Sequence, residues 1–78
     1  MSDDRTFSRR DVVSMGFEAS CVASDGKVYF WHRSFGVRID RHSGKATLLT
    51  DPALLPDAPW TATRVGAKEL EAAASENL

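Results

Sequence analysis

The sequence predicts one small α+β domain: a short N-terminal helix, a three- to four-stranded antiparallel meander, a Pro-rich crossing loop and a C-terminal helix. Three observations carry this reading. Apolar residues early in the chain follow helical spacing behind a capping serine. From Phe17 to Thr50 the pattern changes to strand-like alternation, broken by two glycine-bearing turns. All three prolines, Pro52, Pro56 and Pro59, then fall between residues 51 and 60. A chain of 78 residues has room for one core and buries only about 60% of its unfolded surface. A stability of roughly 4–12 kcal/mol then rests on few side chains. The domain is expected to run from residue 7 to 74, behind a flexible N-terminus at 1–6.

Ser8 opens the first helix. Ser8 and Asp11 stand three apart, a capping box with Asp in the place of Glu or Gln, and Asp11 also suits the positive end of the helix dipole. Val12, Val13 and Met15 give an apolar stripe, and Gly16 reads as the stop. The helix has about two turns, so packing must hold it.

Residues 18–24 form the first strand and end at Asp25-Gly26, a strong short-range hairpin signal. Lys27 to Arg33 is rich in β-branched and aromatic residues. Alternation separates Val28, Phe30 and His32 from Tyr29, Trp31 and Arg33. Ser34 to Gly36 can turn the chain or bulge it, and Phe35, Val37 and Ile39 then share a face while Arg38 and Asp40 point away. Asp40-Arg41-His42-Ser43-Gly44 is a second turn, in which Asp and Ser bond nearby backbone and Gly44 can take positive φ. Lys45 to Thr50 returns as a strand. The proline stretch crosses the sheet, with Leu54, Leu55 and Trp60 as its expected anchors. A last helix from about Val65 through Ala74 places Ala67, Leu70 and Ala74 on one side.

The formal net charge of −1 hides a segregation. Residues 27–45 carry Lys27, Arg33, Arg38, Arg41 and Lys45 against Asp40 alone, a sum of +4, whereas residues 1–26 sum to −2 and 46–78 to −3. The same middle segment holds Tyr29, Phe30, Trp31 and Phe35. Acidic ends folding back on a basic middle would neutralise it within the domain. The near-zero net charge also argues against strong non-specific DNA binding.

Several chemistries find no support. Cys21, His32 and His42 lack the close-pair spacing of structural zinc ligands, so no metal is expected. One cysteine excludes a disulfide within the chain, and Cys21, in a strand beside Ser20 and Val22, reads as a structural thiol. No phosphate-binding glycine loop occurs, and strands follow the first helix where a helix-turn-helix would place its recognition helix. The reading is therefore non-enzymatic and without cofactor. No apolar run reaches the ~20 residues of a membrane span, and the acidic start Met-Ser-Asp-Asp-Arg does not resemble a secretory leader; a cytoplasmic protein is expected. The tail, Ser75-Glu76-Asn77-Leu78, ends with the opening of a common tag-cleavage site. Residues 75–78, and with them the alanine-rich stretch from about 72, are expected to come from cloning sequence.

Two functional expectations follow. If Val28, Phe30, Val37 and Ile39 pack under the helices, then Tyr29, Trp31, Arg33 and Arg38 face outward as a Trp/Tyr/Arg docking surface. That suits a small adaptor or inhibitor of a protein partner, of the kind found among phage and mobile-element proteins, and able to dimerise through a strand edge or through the same face. The alternative is single-stranded nucleic acid bound by Lys27, Tyr29, Trp31, Arg33, Arg38, Arg41 and Lys45, cations on phosphates and rings on bases. Both depend on which face of the sheet is covered, because the proline loop with Trp60 could close the Tyr29–Trp31 face as a core of its own.

Overall fold

The computed structural model describes residues 6–16, 18–57, 59–64, 66, 68–70 and 72. Helix α1 (Arg9–Met15) forms as its caps dictate. The Asp11 amide donates to Ser8 Oγ at 3.1 Å and the Ser8 amide to Asp11 Oδ2 at 3.2 Å, closing the capping box. At the other end Gly16 takes left-handed angles (φ 66°, ψ 27°), and its amide bonds the Val12 carbonyl. A left-handed cap of this kind favours glycine.

The sheet is larger than the meander predicted. Six strands, β1 (Thr6–Phe7), β2 (Ala19–Val22), β3 (Val28–His32), β4 (Phe35–Ile39), β5 (Ala46–Leu49) and β6 (Trp60–Ala62), lie in the order β1-β6-β2-β3-β4-β5. All neighbours are antiparallel. The expected meander is the β2–β5 portion. Unforeseen are β1 and β6: Trp60, expected in the loop, lies in a strand that pairs with both β1 and β2, and Thr6, expected in a flexible end, pairs with Thr61. Both strands are too short to leave a periodic signal.

The hairpins close as their turn residues require. Gly26 (φ 84°) turns β2 into β3, with the Lys27 amide on Asp25 Oδ1 at 2.9 Å. Gly44 (φ 72°) turns β4 into β5, and Asp40 Oδ1 accepts from the amides of His42 and Ser43. Asp51 plays the same part before a 3-10 turn at Pro52–Leu54, accepting from Ala53.

Two apolar clusters lie on opposite faces of the sheet. The larger joins Val12 of α1, Ala19, Cys21, Tyr29, Trp31, Leu49, Leu55 and Trp60. The smaller joins Val37, Ala46 and Leu70, flanked by half-buried Phe30, Phe35 and Ile39. Of the predicted C-terminal helix, residues 68–70 and 72 are helical, and the Leu70 amide bonds the Gly66 carbonyl; Val65, Ala67 and Ala74 lie outside the described residues. Leu55 and Trp60 anchor the proline loop as expected, but Leu54 is exposed. Among the described residues no helix is long and apolar enough to cross a membrane.

Candidate functional site

Strand β3 decides where a docking surface can lie. The register sets Tyr29 beside Cys21 and Arg38, and Trp31 beside Ala19 and Gly36. On this face α1 brings Val12, and the proline loop with β6 brings Leu55 and Trp60. The helix is fastened at both ends: the Arg9 guanidinium donates to the Leu55 carbonyl, and the Gly16 carbonyl accepts from the Arg33 amide, each at 3.1 Å. Tyr29 is left 7% exposed and Trp31 1%. The expectation that these two rings face solvent is therefore corrected. The strand alternation agrees with the expected faces, but both are covered: the Tyr29–Trp31 face is buried, and the face expected inside is buried at Val37 under Leu70 and half-buried at Phe30, Phe35 and Ile39.

Gly36 shows how closely that face is packed. A Cβ there would lie 2.5 Å from Trp31 Cε3 and 2.7 Å from the Phe30 carbonyl oxygen, so the indole lies over a glycine that no other residue can replace without displacement. The Trp31 Nε1 proton has no hydrogen-bond partner among the described residues, whereas Trp60 Nε1 donates to the Pro56 carbonyl at 3.3 Å. Cys21 is buried on the same face, and burial pushes its thiol pKa up. That environment suits a packing group and not a nucleophile.

The expected cations are dispersed. Arg33, exposed and at φ 58°, sits in the β3–β4 turn. Lys27, Arg41 and Lys45 sit in or beside the turns at the other end of these strands. A five-residue strand separates the two ends by roughly 17 Å. Arg38 lies between them, half-buried on the Trp31 face. Around the far turns, Asp25, Gly26, Lys27, Asp40, Arg41 and His42 line a cleft of about 300 Å³. Both of its carboxylates serve their own turns. The amide donors of His42 and Ser43 hold the Asp40 carboxyl below its ordinary pKa, with smaller help from the Lys27 and His42 charges. Cys21, His32 and His42 fall on one face, the opposite face and a turn, so they do not converge on a common point.

Among the described residues, the other face is the less completely covered one. Its rows run Val22–Val28–Ile39 and Ser20–Phe30–Val37 across β2, β3 and β4, and end in the pair His32–Phe35. Leu70 covers Val37 and Ala46, while Phe30, Phe35 and Ile39 stay half-buried and Val22 is 60% exposed. His32 and Phe35 meet edge to face, with centroids 6.3 Å apart, and His32 Nδ1 is buried without a partner among the described residues. This face was read from sequence as the inside. The available clue against that reading was Gly36, which leaves room opposite Trp31 for a large ring to lie flat.

Comparison with protein-family models, with curated proteins and with solved structures finds no match to this chain.

Proposed function

We propose that the chain is a small non-enzymatic interaction protein, of adaptor or inhibitor type, that docks on a protein partner through the open face of β2, β3 and β4. The observation that carries this reading is the apolar surface of exposed Val22 and half-buried Val28, Phe30, Phe35 and Ile39, bordered by cations at both ends of the β3–β4 hairpin. An apolar surface between cationic ends fits an apolar partner segment flanked by acidic side chains. Tyr29 and Trp31 lie beneath it, in the buried cluster on the opposite face of β3.

Single-stranded nucleic acid is the weaker alternative. Its two stacking rings are in the core, and Arg33 stands at the opposite end of the hairpin from Lys27, Arg41 and Lys45.

Affinity capture with matched variants tests the proposal. Val22→Glu and Arg41→Glu, both at exposed positions, should lose the partner while the thermal melt stays put. Met15→Glu, on an exposed helix position away from this face, should keep it. Retention by the first two variants, or loss by the third alone, would refute the assignment. A fluorescence titration with single-stranded oligonucleotide at low salt separates the alternative, since phosphate contacts would give binding that falls steeply with salt.

A further inference from the structure

The sheet ends at β5, and the backbone parity of that edge is fixed. The Asp40 amide donates to the Lys45 carbonyl at 2.9 Å. The pairs Arg38–Thr47 and Gly36–Leu49 continue from it at steps of two. Hydrogen-bonded and non-bonded pairs alternate in an antiparallel ladder. Residues 45, 47 and 49 therefore bond inward to β4, while the N–H and C=O groups of Ala46 and Leu48 point away from the sheet. Asp51 keeps extended angles (φ −103°, ψ 111°), so this edge continues through exposed Thr50 until Pro52 ends it. Edge strands are commonly blunted by a lysine, a proline or a bulge. The stretch Ala-Thr-Leu-Leu-Thr has none, and Leu48 is 38% exposed upon it.

We propose that this edge pairs antiparallel with the same edge of a second copy of the chain, with the two-fold axis at Leu48. The charges select both occupant and register. Lys45 and Asp51 are exposed and, by alternation, lie on one face of the strand. Centring the pair on Leu48 sets Lys45 directly opposite the partner's Asp51, and Asp51 opposite the partner's Lys45. Both are non-hydrogen-bonded positions, where side chains approach most closely. Ala46 then bonds the partner's Thr50, and Leu48 meets the partner's Leu48. Centring on Thr47 sets Lys45 against the partner's Leu49, and centring on Ala46 sets it against the partner's Thr47; either loses both direct pairs. The edge is thus complementary to itself in one register. Pairing along so short an edge belongs with weak, concentration-dependent association.

Sedimentation velocity from micromolar to millimolar protein tests this. The wild type should pass from monomer to dimer over that range. Leu48→Lys, which places two like charges at the axis, should stay monomeric with an unchanged melt. Lys45→Glu and Asp51→Lys should each fail to self-associate, yet an equimolar mixture of the two should dimerise, because each mixed interface restores two opposite pairs. Asp51 also accepts from the Ala53 amide, so far-UV circular dichroism must show Asp51→Lys folded; if it is not, Lys45→Glu and Leu48→Lys decide alone. A wild type that remains monomeric throughout overturns the proposal. So does a dimer that survives Leu48→Lys, and so does undiminished self-association of Lys45→Glu.

Discussion

The two faces of the sheet are made from the same strands and neighbouring residues, yet among the described residues they are covered to different degrees. On one, Trp31 and Trp60 are 1% and 0% exposed beneath a capped helix and the proline loop. On the other, Phe30, Phe35 and Ile39 remain half-buried around Leu70. Burying 150–250 Å² of aromatic side chain at about 25 cal/mol per Å² contributes about 4–6 kcal/mol for each tryptophan. That is of the same order as the whole stability of a domain this size. The difference teaches that in a very small α+β chain the two faces need not be covered equally: one buries both indoles, and the other closes around Val37, Ala46 and Leu70 with half-buried neighbours.

Truncation on either side should break the symmetry of that comparison most visibly. Trp31→Ala is expected to cost about 3–5 kcal/mol, enough to unfold much of the population in a urea titration. Phe30→Ala, one residue away on the half-open face, should cost only about 1–2 kcal/mol. Equal losses would mean that the two faces are equally closed. Trp31→Ala is thus a destabilising change, unsuited to probing a binding surface.

Next in size is Gly36→Ala. The added methyl must push the Trp31 ring or the β3 backbone, at about 1–3 kcal/mol, and should alter the near-UV tryptophan signal without changing the far-UV spectrum. Gly16→Ala follows. Its left-handed φ and the 3.2 Å approach of its Cβ to Arg33 Cα predict a loss of about 1–2 kcal/mol, read as a lower urea midpoint.

Much of the local structure was legible. Ser8 with Asp11, Gly16, Asp25-Gly26 and Gly44 each specify a cap or turn through one residue's backbone chemistry, and each formed as read. The alternation in β3 and β4 was equally plain. What the chain does not state locally is which side of an alternating strand is covered. Val28, Phe30, Val37 and Ile39 are more uniformly apolar than Tyr29, Trp31, Gly36 and Arg38, so local hydrophobicity points to the side that is covered only in part and away from the one that buries both indoles. The choice is made by where α1, Leu55 and Trp60 land, and Trp60 lands in a three-residue strand inserted between β1 and β2. That is a tertiary event, and with it went the location of the candidate surface.

The smallest expected effect concerns the turns and leaves both faces alone. Asp40 has its carboxyl pKa depressed in the folded state by the amides of His42 and Ser43. The folded state therefore binds this proton less readily than the unfolded chain. Its stabilising contribution is present above the unfolded carboxyl pKa and is lost as pH falls through the lower folded value. Asp40→Ala should lower the melting temperature slightly at neutral pH, and the gap from wild type should shrink in acid. A gap independent of pH would remove the carboxylate from the account.

Both tryptophans of the chain, Trp31 and Trp60, lie on the closed face, so the intrinsic fluorescence of the unmodified protein reports on that face alone. Acrylamide quenching in native buffer and in denaturant is the most direct test. The structure predicts a blue-shifted native emission that resists quenching and becomes red-shifted and readily quenched on unfolding. Native emission quenched as readily as the unfolded chain would place the indoles in solvent and contradict the assignment of inside and outside.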